Sequence, residues 1–321
     1  RCLTRRSPTS ELGHAHSQPS ASGLAAGVDV GGTFTDCAAI APDGVVHARK
    51  VLTTPEDQGI GVVAALEALG TTHGRVQRLV HGTTVVTNLL LERTGARVVL
   101  CATEGATDLL ELRRQDRLSL YDLSAQHPAP LVAPAHVVAV DERRTVRGVE
   151  RALTEAQVDS VVRDALALAP DVVVISLLHA YADDAHERRL AAAFHAAAPA
   201  LTVVAASDVL PEIREYERTA TAVAEGYSRP GVERYLERLG ERLRTAGFPA
   251  PAVMTSGGGM RASADAARHA ASLALSGPAG GVVGAAAVLR AAGIANALTI
   301  DIGGTSADAG LILAGEPLVE P

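Results

Sequence analysis

Two short segments carry residues whose types and spacing suit phosphate chemistry. Residues 29–36 read D-V-G-G-T-F-T-D, and residues 301–308 read D-I-G-G-T-S-A-D. Asp29, Gly31, Gly32, Thr33 and Asp36 recur as Asp301, Gly303, Gly304, Thr305 and Asp308. Paired glycines leave backbone N–H groups uncovered, and successive uncovered amides make a concave anion site that a Cβ would obstruct. The threonine hydroxyl adds a donor. A carboxylate at such a point repels phosphate directly but can hold Mg²⁺ through water, which makes Asp29 and Asp301 the candidate metal-holding residues.

The elements that must position these segments are strands. Apolar runs flank each one, residues 25–28 and 37–40 around the first, 297–300 and 309–313 around the second. Gly-Gly between two such runs predicts a hairpin. One glycine hairpin is an ordinary structural element. Two sharing five positions predict duplicated half-domains whose hairpins clamp one polyphosphate. A P-loop is excluded, because no G-x-x-x-x-G-K-[ST] occurs and neither hairpin runs directly into a helix. No G-x-S-x-G nucleophile elbow occurs either.

The paired D-x-G-G-T-x-x-D hairpins resemble the phosphate-1 and phosphate-2 loops of the actin, sugar-kinase and heat-shock ATPase superfamily. Within it, G-V-D-V-G-G-T-F-T-D resembles the N-terminal signature of the hydantoinase/5-oxoprolinase family. Other blocks extend that resemblance over residues 25–321, about the N-terminal half of a family member. They are H-G-T-T-V-V-T-N from His81, the run from Gly95 to Asp116, Y-D-L from Tyr121, L-L-H-A-Y ending at Tyr181, residues 210–219, and S-G-P-A-G-G from Ser276. One departure stands at residues 256–259, where S-G-G-G replaces the family's Ser-Asn-Gly-Gly, so Gly257 lacks an amide side chain.

The resemblance implies an α/β, ribonuclease H-like actin/sugar-kinase ATPase fold of mixed sheets and helices, with its second lobe truncated. It implies ATP and Mg²⁺. Asp29 and Asp301 would position the ion through water, and Thr33 and Thr305 would donate to the γ-phosphoryl. Gly31, Gly32, Thr35, Asp36, Gly303, Gly304 and Asp308 would hold the phosphates, with Gly277, Gly280 and Gly281 of a connecting helix. His81, Thr83, Thr84, Asn88, Arg114 and His179 are candidate contacts to a lactam. The implied reaction is ATP-dependent hydrolysis of a cyclic amide of the 5-oxoproline or hydantoin type, through phosphorylation of the lactam oxygen. A second, B-type subunit and a homo-oligomer are the implied partners. The alternatives are a subunit of an ATP-dependent ketone carboxylase, of the acetone or acetophenone type, and a non-catalytic nucleotide-binding module. A small-molecule kinase is disfavoured, because H-G-T-T and S-G-P-A-G-G are not kinase signatures.

Composition sets outer bounds. The 321 residues are 47% hydrophobic and 20% charged, with Ala far outweighing aromatic side chains, enough for two packed domains. A net charge of −7 argues against non-specific nucleic-acid binding. Cys2, Cys37 and Cys101 form no C-x-x-C pair, which argues against a zinc knuckle or a disulfide framework and predicts a reducing, cytoplasmic setting. No apolar run approaches the ~20 residues that span a bilayer. The chain starts at Arg1 and stops at Pro321 just after a strand, and is expected to be a fragment that is inactive by itself.

Taken in order, residues 1–23 predict a disordered tail, residues 24–205 an N-terminal domain and residues 206–321 the start of a second. The pattern predicts strands over 25–30, 34–40 and 45–51, then a helix from Thr54-Pro55-Glu56-Asp57 to Leu69. The next strand is expected to end at His81, with Gly82 turning the chain and Thr83-Thr84 capping a helix. Lys50, the sole lysine, reads as a solvated strand end. Arg113, Arg114 and Arg117 read as a basic helix end. Thr154-Glu155 opens an amphipathic helix, and the apolar run 171–178 predicts a central parallel strand. His179, His186 and Glu187 lack the H-E-x-x-H spacing of a zinc site. A long helix is expected from Leu210 to Gly226, interrupted at Ser228-Arg229-Pro230 and resuming to Ala246.

Overall fold

The computed structural model describes residues 23–54, 56–70, 76–122, 124–302 and 307–319. The tail expected over 1–23 therefore lies, but for Gly23, outside the described residues. So do Gly303, Gly304 and Thr305 of the second hairpin.

Three strands open the chain: β1 (Leu24–Val30), β2 (Phe34–Ile40) and β3 (Val46–Leu52), an antiparallel meander. Strict alternation decides its two faces. Leu24, Ala26, Val28 and Val30 of β1 and Thr35, Cys37 and Ala39 of β2 are buried, which leaves Asp29 and Asp36 on the other face. Helix α1 (Gln58–Ala68) follows, capped by Asp57, whose carboxylate accepts from the Gly59 amide. Strand β4 (Val76–Thr83) then lies parallel to β1. The expected turn at Gly82 is not there. β4 runs on to Thr83, and helix α2 (Val85–Glu92) starts after Thr84, whose side chain makes no cap hydrogen bond.

A second sheet is built from β5 (Val98–Thr103), β6 (Val137–Val140), β9 (Val172–Ser176) and β10 (Thr202–Ala205) in the order β10-β9-β5-β6, with every pair parallel. All residues of β5 and β9 are buried, as continuous apolar runs covered on both faces should be. Between these strands come α3 (Leu109–Leu112), the β7–β8 hairpin (Arg143–Thr145 and Gly148–Arg151), α4 (Glu155–Ala167) and α5 (Ala185–Ala197). α4 opens on a capping box in which Thr154 and Gln157 bond each other's backbone. After the single turn α6 (Ala206–Val209) comes α7 (Glu215–Thr245), followed by β11 (Ala252–Met254), β12 (Met260–Ala262) and α8 (Ser263–Ala267). β11 pairs with β4, so the first sheet reads β12-β11-β4-β1-β2-β3. Helix α9 (Ser276–Ala291) then leads to a third sheet of β13 (Ala297–Ile302), β14 (Ala307–Leu313) and β15 (Glu316–Pro317).

The fold is the expected α/β, ribonuclease H-like ATPase fold, and the duplication is visible in strand register. β1 and β2 pair Asp29 with Asp36 and Val28 with Cys37; β13 and β14 pair Asp301 with Asp308 and Ile300 with Ala309. No helix among the described residues is long and apolar enough to cross a membrane.

The expectation for α7 needs correcting. It starts at Glu215, not Leu210, and continues unbroken through Pro230 for 31 residues. Proline removes one amide and crowds the carbonyl four residues back, which costs about 3 kcal/mol in an isolated helix. Here both sides of the proline are clamped. Ala222, Val223 and Tyr227 pack into the core under the second sheet, while Leu239 and Leu243 pack into the core of the first. Gly226 lies so close to the second sheet that a Cβ would stand 2.7 Å from Val174 Cγ2 and 3.1 Å from Val172 Cγ1. Gly226→Ala is therefore expected to destabilise the fold by about 1–3 kcal/mol through overpacking, seen as a lower urea midpoint. An unchanged midpoint would show that this crossing is loosely packed.

Candidate functional site

The first hairpin is pinned from beneath. The Gly31 amide donates to Phe34 O at 2.9 Å and closes the turn. Thr53, just past β3, donates its hydroxyl to Gly31 O at 2.8 Å and its amide to Thr33 O at 2.9 Å. Thr35 is buried, its hydroxyl 3.1 Å from that of Thr53. Thr35 thus braces the turn from within, and Gly31 spends its amide there. The donors at the exposed tip are those of Gly32 and Thr33. Thr53 thus helps to build the site; it stands immediately before the Thr54-Pro55-Glu56-Asp57 run that predicts the helix start.

Asp29 points into a cleft of about 970 Å³ whose lining includes Asp36, Lys50, Gly82, Gly277 and Asp301. Two glycines make room for its carboxylate. A Cβ on Gly82 would stand 2.5 Å from Asp29 Oδ1, and one on Gly277 would stand 3.2 Å from it. Gly82 is thus needed for close approach within a strand rather than for a turn. The helix that carries Gly277 is tied to β4 by Ser276, whose buried hydroxyl donates to Thr83 O at 3.1 Å. Its first turn, with Gly280 and Gly281, also lines the cleft, so its free amides and the positive end of its dipole meet the same space.

Desolvation by the surrounding protein, then the charges of Asp36 and Asp301, raise the Asp29 pKa; Lys50 and the Val30 amide oppose them. The carboxyl nonetheless stays open to water across the cleft, so screening tempers the crowding. A cation would relieve it. The glycine cradle and the neighbouring carboxylates fit a Mg²⁺ held through water by Asp29 and Asp301, although among the described residues no three His, Cys, Asp or Glu side chains form a metal cluster.

The other predicted residues scatter. His81 is buried on the opposite face of β4, with Nε2 2.7 Å from the Tyr235 hydroxyl of α7. Burial pulls its pKa to about 4, so it stays neutral. Thr83 is also buried, and its Oγ1 accepts from the Val85 amide at 3.2 Å. Thr84 donates to Val30 O at 3.3 Å and accepts from Asn88 Nδ2 at 3.4 Å. Asn88 lines a separate cavity of about 250 Å³ between α1, α2 and α7. Arg114 forms an exposed ion pair with Glu217 at 2.6 Å. His179 has φ of 59°, and its amide donates to Glu215 Oε1 at 3.2 Å. Neither of these two reaches the Asp29 cleft. His186 and Glu187 have structural partners: His186 Nδ1 meets Glu142 Oε2 at 2.7 Å, and Glu187 accepts from the Leu177 and Ser207 amides. Gly257 is exposed with nothing within 4 Å of an added Cβ, so its departure from the family pattern removes an amide without reshaping the turn.

The profile of the hydantoinase/oxoprolinase N-terminal region matches residues 25–197, and that of hydantoinase/oxoprolinase matches residues 218–321. The chain belongs to the hydantoinase/oxoprolinase family. It is 32% identical over 301 residues to the caprolactamase subunit alpha of Pseudomonas jessenii, covering 90% of this chain and 43% of that one. It is 32% identical over 311 residues to the acetophenone carboxylase gamma subunit of Aromatoleum aromaticum, covering 89% and 42%. The nucleotide-free structure of acetone carboxylase superposes with a TM-score of 0.81 at 29% identity, covering 92% of this chain and 44% of that one. The chain thus spans less than half the length of these relatives.

His81 supplies a pH test of the first sheet's packing. With its folded pKa depressed below the ordinary 6.5, the neutral imidazole favours the fold above that value, and the advantage is lost as pH falls toward 4. His81→Gln keeps a partner for Tyr235 but does not titrate. The wild type's stability relative to this variant is expected to fall by on the order of 3 kcal/mol between pH 6.5 and 4, then level off. A gap that is constant across that window in parallel denaturant titrations would refute a buried neutral His81.

Proposed function

We propose that this chain is the nucleotide-binding part of an ATP-dependent enzyme that opens a cyclic amide of the 5-oxoproline or hydantoin type. One observation carries the reading. Asp29 and Asp301, at the same register position of two like hairpins, line one cleft together with the first turn of α9. Such a cleft suits a polyphosphate. Its donors come from two sides, and its carboxylates call for a cation between themselves and the phosphates.

The chemistry follows from the substrate. An unstrained lactam is a poor electrophile. In the proposed step the lactam oxygen attacks the γ-phosphorus as the bond to the β-phosphate oxygen breaks, and ADP leaves. The phosphorylated ring carbon is attacked by water; the adduct collapses by breaking the C–N bond, the nitrogen taking a proton, and a second water cleaves the resulting acyl phosphate to carboxylate and inorganic phosphate. The chain's own contribution is position and charge. The Gly32 and Thr33 amides and the Thr33 hydroxyl donate to phosphate oxygens, and the first turn of α9 offers its amides. Thr305, Gly303 and Gly304 are assigned the matching roles in the second hairpin, with Asp36 and Asp308 beside them. Asp29 and Asp301 would hold Mg²⁺ through water, and the ion, when bound, supplies positive charge against the phosphates. His81 holds α7 against the first sheet, and Thr83 and Thr84 anchor the start of α2. Asn88, Arg114 and His179 lie outside the cleft, so no substrate role is proposed for them.

The relatives are subunits called alpha and gamma, and we extend the proposal to a second, B-type subunit. Cys37 and Cys101 are unpaired and buried, with thiol pKa values pushed up to about 12. They support a reducing, cytoplasmic setting. The ketone-carboxylase reading draws on the acetone carboxylase likeness and is separable by substrate.

The test is Mg²⁺-dependent ATP hydrolysis by the protein that carries this chain, with 5-oxoproline, hydantoins or caprolactam, and separately with ketones plus bicarbonate. Lactam-stimulated hydrolysis with ring-opened product supports the proposal. Stimulation only by a ketone with bicarbonate assigns the carboxylase reading, and tight nucleotide binding without turnover leaves a binding module. Asp301→Asn is expected to lower the stimulated rate at least ~100-fold, the size of loss that follows when one element of transition-state charge stabilisation is removed. Near-normal ATPase activity would remove the role given to Asp301.

A further inference from the structure

Lys50, the sole lysine of the sequence, stands in β3 directly across from Asp36, which stands directly across from Asp29. The three side chains form one cross-strand row on the cleft face, and all three line the cavity. Lys50 Nζ lies 2.6 Å from each Asp36 carboxylate oxygen and 5.0 Å from the centre of the Phe34 ring. Its side chain is 55% exposed. The neighbouring Arg49 lines the same rim, but its guanidinium donates to Ala68 O and Ala48 O. Among the described residues of the cavity, Lys50 is thus the cation whose charge is set against the three carboxylates Asp29, Asp36 and Asp301.

This arrangement is at odds with anion binding unless charge is rearranged. A polyphosphate entering the cleft meets three carboxylates, and the lysine that could attract it is held by one of them. An exposed lysine–carboxylate pair is weak and easily exchanged, and the four-carbon stem lets the ammonium swing without moving the strand. We infer that Lys50 is a phosphate-contacting residue, which leaves Asp36 for the terminal phosphates when nucleotide binds. Asp36 is its resting partner and holds the ammonium at the cleft. A merely structural pair, tacking β3 to β2, would keep its contact whether or not nucleotide is present.

The inference rests on the ATP reading, and one experiment separates the two. The protein that carries this chain is reductively methylated with formaldehyde and a borane. Modification at Lys50 is followed by peptide mass spectrometry, with the N-terminal amine as reference. Nucleotide occupancy is measured in parallel by equilibrium dialysis. Saturating MgATP is expected to slow methylation of Lys50 by roughly tenfold, as a charge-assisted contact would, while the N-terminal amine reacts at its usual rate. Lys50→Met is expected to weaken ATP binding by a similar factor without moving the thermal midpoint, with Lys50→Arg intermediate. Bound ATP that leaves Lys50 as reactive as before overturns this inference alone. Failure of the wild type to bind nucleotide overturns it together with the proposed function.

Discussion

The close approach of the Asp29 carboxylate to two glycines is the constraint on which the site depends. β1 carries the acid, β4 carries Gly82 and α9 carries Gly277, and each glycine leaves space that a Cβ would fill. Any side chain at Gly82 would push against Asp29 from within the sheet, where β4 cannot retreat because it is paired on both edges. The hydroxyl of Ser276 fixes the third member by bonding Thr83 O. Three elements far apart in sequence thus converge on one carboxylate. The convergence also explains why the hairpin, the H-G-T-T run and the S-G-P-A-G-G run belong together: each supplies one wall of the same cradle.

A second constraint keeps those walls in register. Helix α7 contributes side chains to three separate apolar clusters, those of the first sheet, of the second sheet and of the segment around α8. It also carries Tyr235, which reaches His81 from behind the first sheet. Its buried Glu225 accepts from the Ala270 and Ala271 amides just before α9. A carboxylate under a helix approach is costly to bury unless such donors are present. Here it fixes the entry of α9, and with it the position of Gly277 against Asp29. The helix persists across Pro230 because breaking it would uncouple these contacts.

Much of this was legible in the residues. Alternation in β1 and β2 places Asp29 and Asp36 on one face, and the five matching positions foretell a second hairpin in the same register. The continuous apolar run of β9 foretells a buried parallel strand, and Thr154-Glu155 a helix start. What was not legible depended on partners remote in sequence. Gly82 reads as a turn because glycine usually means one; only the Asp29 carboxylate beside it shows that it serves close approach. Pro230 reads as a break because the packing that holds the helix together comes from elsewhere. His81 follows Val80 and precedes Gly82 in a strand, so period-two geometry already put His81 and Gly82 on opposite faces. Reading the block as a helix entrance hid that. Thr53 was missed because its role is to accept and donate within another segment's turn.

The cleft face also shows what such a site costs the unliganded fold. Placing Asp29 and Asp36 side by side across one strand pair, with Asp301 opposite, sets like charges together, and Asp29 registers this as a raised pKa. Apolar replacements would pack the row without that repulsion. Asp29, Asp36 and Asp301 thus face one cleft whose charge a cation would neutralise. Lys50 offsets part of that charge. The cradle glycines serve the same end from the steric side, since they keep the carboxylate accessible where a larger residue would cover it. That repulsion falls on a frame held elsewhere, by the buried contacts of α7 and by strands paired on both edges.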